Sequence, residues 1–267
     1  MTLVACTSAP AGKHQAPTVP SSPTTSAFTT QTAPPSSPRR STAEPERNPT
    51  RAAVPPSTSS RPTTSAASGA GGLPLAYPTG SATRVITVVA PSTSSTVATL
   101  QAFDKSGSGW RAHGGAITAH LGSAGMTSHA SEQLSATPMG SFTLTEAFGR
   151  NANPGTGLPY RQTTPADWWI SQSGPFYNTL QHCSGSCGFT QGDPNEHLYD
   201  ITPYYNYAVV IDYNRAPVTQ GAGSAIFLHV SDGAPTAGCV AIPQGDLTAL
   251  MQWLTPGADP RILIGVG

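Results

Sequence analysis

The chain has 267 residues, including 27 glycines and 27 prolines, and its few charged residues (10%) sum to a formal net charge of zero. This balance lacks the basic excess of a nucleic-acid-binding protein, so we expect no nucleic-acid partner. No apolar run approaches the ~18 residues needed to cross a bilayer, which excludes an internal membrane span.

The chain opens with Leu3-Val4-Ala5-Cys6, followed by Thr7-Ser8, which resembles a bacterial lipobox. Only five residues precede Cys6, too few for the charged and apolar parts of a signal peptide. Either the true start lies upstream or the chain has been shortened. We interpret residues 1–6 as the remnant of a lipoprotein signal and expect Cys6 to carry a lipid anchor. The alternative is a chance cysteine in a disordered tail.

Residues 7–72 have the composition of a disordered linker. They contain 12 prolines, 24 serines or threonines and one aromatic residue, Phe28. Such a segment cannot bury enough apolar surface to offset the entropy lost on ordering. Six Lys/Arg against two Asp/Glu make it weakly basic, whereas residues 73–267 carry seven against eleven. We expect a disordered stalk whose weak positive charge suits contact with an anionic surface, such as a cell wall or lipid headgroups.

Residues 73–267 are predicted to form a single, mainly β domain with one or a few short helices. The candidate strands are rich in Val, Ile, Thr and aromatic residues and are bounded by Gly, Pro, Ser and Asn. They are Arg84–Ala90, Val97–Phe103, Ala116–Leu121, Ser141–Phe148, Tyr207–Tyr213, Ser224–Val230 and Arg261–Val266.

One helix is predicted near the C-terminus, because apolar residues recur there at helical spacing from Leu247 to Leu254. Asp246 is the expected cap at its start, and Thr255-Pro256-Gly257 ends it. Residues 150–206 carry few strand signals and are rich in Gly, Pro, Asn and Tyr. We name this segment the excursion and expect it to form a binding wall, since loops of this length in compact domains are usually functional.

Two of the four cysteines lie close together in the excursion. Cys183 and Cys187 flank a Ser-Gly-Ser turn, a spacing that permits a disulfide. An exported protein favours that pairing. The alternative is a zinc site built from His182, Cys183, Cys187 and His197, although no second ligand pair of similar spacing accompanies it.

Cys239 remains without a partner and follows a Pro- and Gly-rich turn, Pro235-Thr236-Ala237-Gly238. Ten residues earlier, His229 ends the apolar run Ile226-Phe227-Leu228. A histidine at a strand end, joined by a short loop to a cysteine, can form a thiolate–imidazole pair in which the imidazole lowers the thiol pKa. Small neighbours leave the backbone N–H groups of Gly238 and Cys239 free to hold an oxyanion. The alternative is a buried structural cysteine beside a core histidine.

The sequence around these residues resembles the YkuD-type (ErfK/YbiS-type) L,D-transpeptidases of bacterial cell walls. The family motif is an apolar strand ending in His, a loop, and Ser/Thr-x-Gly-Cys followed by an aliphatic residue, which here is Thr236-Ala237-Gly238-Cys239-Val240. A second motif, Thr-Pro-x-Gly-x-aromatic, occurs as residues 137–142. The resemblance covers residues 84–267 and implies a β-sandwich-like catalytic domain.

Three features depart from the family pattern. Ala237 stands where the family commonly has His, and Ala241 where it commonly has Arg or Asn. The loop from His229 to Cys239 is also shorter than usual. The Ala-Gly-Cys form resembles a divergent actinobacterial branch of exported members.

The resemblance implies that Cys239 attacks a peptidoglycan stem peptide, forms a thioester and transfers the acyl group to an amine, with His229 as the base. It implies neither a metal nor another cofactor. A neighbouring backbone carbonyl, that of Val230, Ser231 or Asp232, would orient the histidine. Thr236, Ala237, Glu196, His197, Tyr177 and Asn178 are candidates for lining the substrate cleft, although a solvated loop is the simpler interpretation of Glu196-His197.

Two other functions stay open at this point: an L,D-carboxypeptidase, if water takes the acyl group, and an inactive wall-binding module. In each case we expect an exported protein of the cell envelope, anchored in the membrane by lipid and facing the wall. The sequence does not indicate an oligomeric state.

Overall fold

The computed structural model describes residues 71–267. The predictions for Cys6 and for residues 7–70 therefore lie outside the described residues. Within residues 71–267, no helix is long and apolar enough to span a membrane.

Strands dominate this part of the chain, as the sequence predicts. The first eight are β1 (Arg84–Ala90), β2 (Val97–Ser106), β3 (Gly109–His120), β4 (Met126–Thr127), β5 (Thr137–Pro138), β6 (Gly140–Thr143), β7 (Ala147–Gly149) and β8 (Tyr160–Gln162). The others are β9 (Asp167–Trp169), β10 (Leu180–His182), β11 (Glu196–His197), β12 (Ala208–Val210), β13 (Phe227–Val230), β14 (Val240–Ile242) and β15 (Arg261–Val266). Helix α1 spans Gln244–Trp253, and two 3₁₀ turns span Tyr204–Asn206 and Pro256–Ala258.

Ten strands form one mixed sheet in the order β6-β15-β1-β2-β3-β14-β13-β12-β7-β8. Its ends lie close together, because only residues 144–146 connect β6 at one edge to β7 near the other. The sheet therefore curls until its two ends meet, which matches the expected sandwich-like architecture.

The main hydrophobic core fills the inside of this curl. It joins Ile262 and Ile264 of β15 to Val209 of β12 and Leu228 of β13, strands far apart in the sheet order. Helix α1 adds Leu247, Leu250, Met251 and Leu254 to the same cluster, which are the residues that its spacing predicts.

A second core lies on the opposite face of β7, β12 and β13, where the excursion packs. Trp169 of β9 is 1% exposed, and its ring lies 4.9 Å from that of Phe227. Strands β10, β9 and β11 form a three-stranded sheet around it. The excursion is therefore an ordered wall held against the main sheet, rather than a loop without secondary structure.

Several element predictions need correction. The predicted strand Ala116–Leu121 begins earlier, at Gly109, and the predicted strand Tyr207–Tyr213 is only Ala208–Val210. The predicted strand Ser141–Phe148 is two strands, because β6 pairs with β15 whereas β7 pairs with β12 and β8. The predicted strand Ser224–Val230 begins only at Phe227, since Ala225 has a positive φ of 55°.

Helix α1 begins earlier than predicted, after Pro243, and Asp246 is not its cap. Asp246 lies in the first turn, where its negative charge interacts favourably with the positive end of the helix dipole.

Candidate active site

Strand alternation brings His229 and Cys239 to the same face of the sheet. Leu228 and Val230 point into the main core, so Phe227 and His229 face the excursion. Parallel pairing sets His229 opposite Ala241 on the neighbouring strand. Cys239 lies two residues before Ala241 and therefore faces the same side, in a position diagonal to His229.

The thiol of Cys239 is 7% exposed and is held by backbone groups. It donates to the carbonyl of Ala225 at 3.3 Å and accepts from the amide of Phe227 at 3.4 Å. The turn that delivers it requires glycine at position 238, where φ is +139° and a Cβ would lie 3.2 Å from the carbonyl oxygen of Ala136.

Two threonine hydroxyls fix this turn. Thr236 Oγ1 accepts from the Gly238 amide at 3.0 Å and donates to the Cys239 carbonyl at 2.7 Å. Thr137, the first residue of the second motif, is fully buried and donates to the same carbonyl at 3.2 Å. Because the Gly238 amide is engaged by Thr236, it does not serve as the free oxyanion donor that the sequence predicts.

His229 is oriented by the backbone, as the resemblance implies. Its Nδ1 donates to the carbonyl of Val230 at 2.8 Å, so the lone pair of the neutral ring lies on Nε2. The rings of Tyr204 and Tyr205 pack edge-on against the imidazole, with centroids 6.1 and 5.6 Å away. The ring is 7% exposed and is fixed in one orientation.

Burial sets the charge state of both groups. It raises the pKa of the Cys239 thiol to about 12, and the charge of the Glu196 carboxylate adds to this rise. The hydrogen bond from the Phe227 amide lowers the pKa but does not offset the rise. It also lowers the pKa of His229 below its usual 6.5, despite the hydrogen bond to Val230. At neutral pH the site therefore holds a thiol and a neutral imidazole, not the thiolate–imidazole pair with a lowered thiol pKa that the sequence predicts.

Both side chains open onto a cavity of about 650 Å³ between the sheet and the excursion. Of the predicted lining residues, Thr236, Ala237 and Glu196 do line it. Ala241, the other departure from the family motif, lines it too. The excursion supplies the opposite wall with Pro194, Glu196, Ile201, Tyr204 and Tyr205.

The other three predicted lining residues, Tyr177, Asn178 and His197, do not line the cavity. Tyr177 is buried and donates to Glu132 at the rim of the cavity. Asn178 is buried behind the wall, where its Oδ1 accepts from Trp169 at 3.0 Å and from the Ala225 amide at 3.1 Å. It thus supports the strand that leads to His229 without lining the cavity.

His197 faces away from the cavity. Its Nδ1 lies 2.7 Å from Asp200, and its Nε2 lies 2.8 Å from the carbonyl of Pro165. Its ring stacks on Trp168 with centroids 4.4 Å apart. The prediction that it lines the substrate cleft is therefore wrong.

Sequence reasoning missed three carboxylate–tyrosine contacts around the cavity. Tyr177 donates to Glu132, Tyr205 to Glu196 at 2.6 Å, and Tyr204 to Asp232 at 2.8 Å. None of these pairs is near in sequence, so no local motif could reveal them. The prediction of Glu196 as a solvated loop residue is also wrong, because its side chain is partly buried at the cavity wall.

Cys183 and Cys187 form a disulfide with Cα atoms 5.9 Å apart, as the spacing and the expected compartment favour. The zinc alternative is excluded for these two sulfurs, since neither is a free thiolate. In residues 71–267 no group of three or more His, Cys, Asp or Glu side chains is arranged to hold a metal ion.

A cysteine and a backbone-oriented histidine on adjacent strands of a curled sheet, facing one cavity, are the arrangement expected of an enzyme with a cysteine nucleophile. The family comparison agrees: the YkuD model, which describes the L,D-transpeptidase catalytic domain, matches residues 99–264. The match covers more than half of the chain, which therefore belongs to this family. Searches of curated proteins and of solved structures found no match.

Proposed function

We propose that the protein is a peptidoglycan L,D-transpeptidase that uses Cys239 as its nucleophile. One observation carries the proposal: the Cys239 thiol and the His229 imidazole face the same cavity from neighbouring strands. Family membership supports action on peptidoglycan stem peptides in general.

The first half-reaction is acylation. The sulfur of Cys239 attacks the carbonyl of the third residue of the stem peptide while Nε2 of His229 takes the thiol proton. Because both groups are neutral at rest, His229 acts as a general base when substrate is bound, rather than through a preformed ion pair. The Cys239 amide is the candidate oxyanion donor. The C–N bond to the terminal D-alanine then breaks, and His229 returns its proton to the leaving amine.

In the second half-reaction, an amine of a neighbouring stem attacks the thioester. The new C–N bond forms, the C–S bond breaks, and Cys239 regains a proton through His229. These steps use only side chains of the chain itself.

The location proposed for this reaction is the cell envelope. We propose that Cys6 carries a lipid and that residues 7–72 span the distance from the membrane to the wall. The composition of the sequence supports this placement; Cys6 and residues 7–70 lie outside the described residues.

Mass spectrometry of the intact protein after incubation with a carbapenem tests the proposed nucleophile. Ring opening by a thiol adds the mass of the whole drug, and peptide mapping should place it on Cys239. Cys239→Ala should form no adduct, since no other group carries the covalent intermediate.

The matched control is the double variant Cys183→Ser/Cys187→Ser, which removes the other cysteines of residues 71–267 and should still acylate. A wild-type protein that stays unmodified by the carbapenem would contradict the proposal. That result would favour a wall-binding module, because binding does not require Cys239 to ionise and is compatible with a thiol pKa of about 12.

A further inference from the structure

Glu196 is a carboxylate in the cavity wall whose charge acts on the Cys239 thiol. It is held by β11, whose partner β9 carries Trp169 in the second core. Its Oε2 accepts from the hydroxyl of Tyr205 at 2.6 Å. Tyr205 is 5% exposed, and its ring packs against the imidazole of His229.

The cavity has an unbalanced charge. Glu132, Glu196 and Asp232 line it, whereas no lysine or arginine is among the described residues that do so. Each of the three carboxylates takes a hydrogen bond from a tyrosine, which leaves its charge uncompensated. Glu132 and Asp232 are exposed, whereas Glu196 is partly buried, and a partly buried carboxylate without a cationic partner is costly. A positively charged group on a bound molecule would remove that cost.

We propose that Glu196, positioned by Tyr205, binds the ammonium group of the incoming amine acceptor and takes its proton, so that the cavity favours an amine over water as acceptor. This inference rests on the acyl-transfer function proposed above. It assigns a proton acceptor to the second half-reaction that is separate from His229.

The proton balance explains why such a group is needed. An alkyl amine reaches the cavity as R–NH₃⁺, which has no lone pair to attack with. Transfer of one proton to the Glu196 carboxylate gives R–NH₂, which attacks the thioester carbonyl. The C–N bond forms, the C–S bond breaks, and the second N–H proton passes through His229 to the sulfur. Glu196 then releases its proton to solvent, so the net products are an amide, a thiol and H⁺.

The protonation behaviour of Glu196 fits this role. Burial raises its pKa to about 7, the Tyr205 hydroxyl opposes that rise, and the charge of Glu132 adds to it. A general base works best when its pKa lies near the working pH.

The test separates acylation from transfer. A peptidyl thioester with a chromogenic thiol leaving group acylates Cys239 without a leaving amine, and mass spectrometry then measures how the acyl-enzyme divides between water and an added acceptor. Two acceptors are compared at neutral pH: n-propylamine, which is protonated, and methoxyamine, which is not. Glu196→Gln keeps an oxygen for Tyr205 but cannot take a proton.

We expect Glu196→Gln to lower aminolysis by n-propylamine about 10²-fold relative to aminolysis by methoxyamine. Acylation should not slow, because loss of the Glu196 charge removes one of the causes that raise the pKa of Cys239. Glu146→Gln is the matched control, because Glu146 pairs with Arg215 and does not line the cavity. It should behave as wild type. Equal losses with both acceptors, or no loss with either, would overturn the inference.

Tyr205→Phe provides a second test if Glu196→Gln does not fold. It keeps the ring against His229 but removes the hydrogen bond to Glu196, so the ratio of n-propylamine to methoxyamine transfer should fall. An unchanged ratio would overturn the inference. A wild-type protein that forms no acyl-enzyme would instead overturn the proposed function, and this inference with it.

Discussion

Cys239 is the proposed nucleophile, and its surroundings disfavour the reactive thiolate form. Burial and the nearby Glu196 carboxylate hold it as a thiol, and the carbonyl of Ala225 accepts its hydrogen. A thiol kept protonated is protected from oxidation and from chance acylation, because the thiolate is the reactive species. Its activation therefore depends on a base that acts as the substrate arrives, and His229 is the group placed to do so.

His229→Gln should slow acylation at neutral pH by about 10²–10⁴-fold. In the wild type, acylation should fall in acid only as the imidazole becomes protonated, at a pH below 6.5, because burial lowers the His229 pKa. The variant should lose this acid limb, and its rate should rise with pH as the thiol ionises toward its pKa of about 12. Stopped-flow acylation across the pH range measures both effects.

The control is His129→Gln. Because His129 is exposed, this change should not affect the acylation rate. Wild-type acylation by His229→Gln at neutral pH would remove His229 from the mechanism. His197 could not replace it, because both of its ring nitrogens already contact other groups outside the cavity.

Thr137 links the two sequence motifs physically. Its hydroxyl accepts from the Gly122 amide at 2.9 Å and donates to the Cys239 carbonyl. Thr137→Val removes both contacts in a fully buried place, so we expect a loss of about 1–3 kcal/mol in the free energy of unfolding together with slower acylation of Cys239. Urea denaturation and carbapenem acylation measure the two effects.

Thr137→Ser keeps the hydroxyl and should recover the acylation rate. If Thr137→Val acylates as fast as the wild type, the contact with Cys239 is structural only.

At the scale of elements, the excursion depends on a buried carboxylate. Asp167 is fully buried and contacts Arg161 at 2.7 Å and His182 at 2.9 Å, from β8 and β10 respectively. Burial alone would raise its pKa, but the hydrogen bonds from His182, Arg161 and Thr164 together hold the pKa below its usual 3.8. Asp167 thus links the short strands β8, β9 and β10 through its side-chain contacts.

Asp167→Asn should lower the free energy of unfolding by about 2 kcal/mol at pH 7. Because the folded-state pKa lies below the unfolded value of 3.8, this stabilisation is complete above pH 3.8 and is lost as the pH falls through the folded-state pKa. Urea denaturation at several pH values should show the variant and the wild type converging in acid. Asp200→Asn, an exposed residue of the same excursion, is the control; a gap that persists in acid would contradict the assignment.

The sequence predicts the bounds of a strand well where the whole strand lies in the same environment. The predicted bounds of β1 and β15 match the structure, because both are mostly apolar and each is buried between two neighbouring strands. The prediction failed at residues 141–148, where the chain leaves one end of the sheet and joins the other, since hydrophobicity does not report pairing partners.

Some residues of the candidate site could likewise be predicted from the sequence, and others could not. Cys239 and His229 could be found from spacing within one short segment. The carboxylate–tyrosine contacts could not, because they join residues such as Glu132 and Tyr177 that only the packed excursion brings together. The thiol pKa was also unpredictable, since it depends on burial by distant residues.

At the scale of the whole molecule, the lipid proposed on Cys6 is the anchor that would hold the protein at the membrane. Cys6→Ala, expressed from its full native start, should therefore move the protein from the membrane fraction to the soluble fraction of the envelope. Immunoblotting of separated fractions measures this, with Cys239→Ala as the control that stays with the membrane. A Cys6→Ala protein that remains membrane-bound would rule out lipid anchoring at this residue.

The position of β15 has a consequence for how the protein is made. This last strand lies between β1, the first strand of the domain, and β6. Synthesis delivers the chain from its N-terminus, so β1 and β6 leave the ribosome long before the strand that joins them. The sheet cannot close until the residues of β15 have been released. Loss of this strand would leave β1 and β6 each with an unpaired edge, and such open strand edges are prone to aggregation.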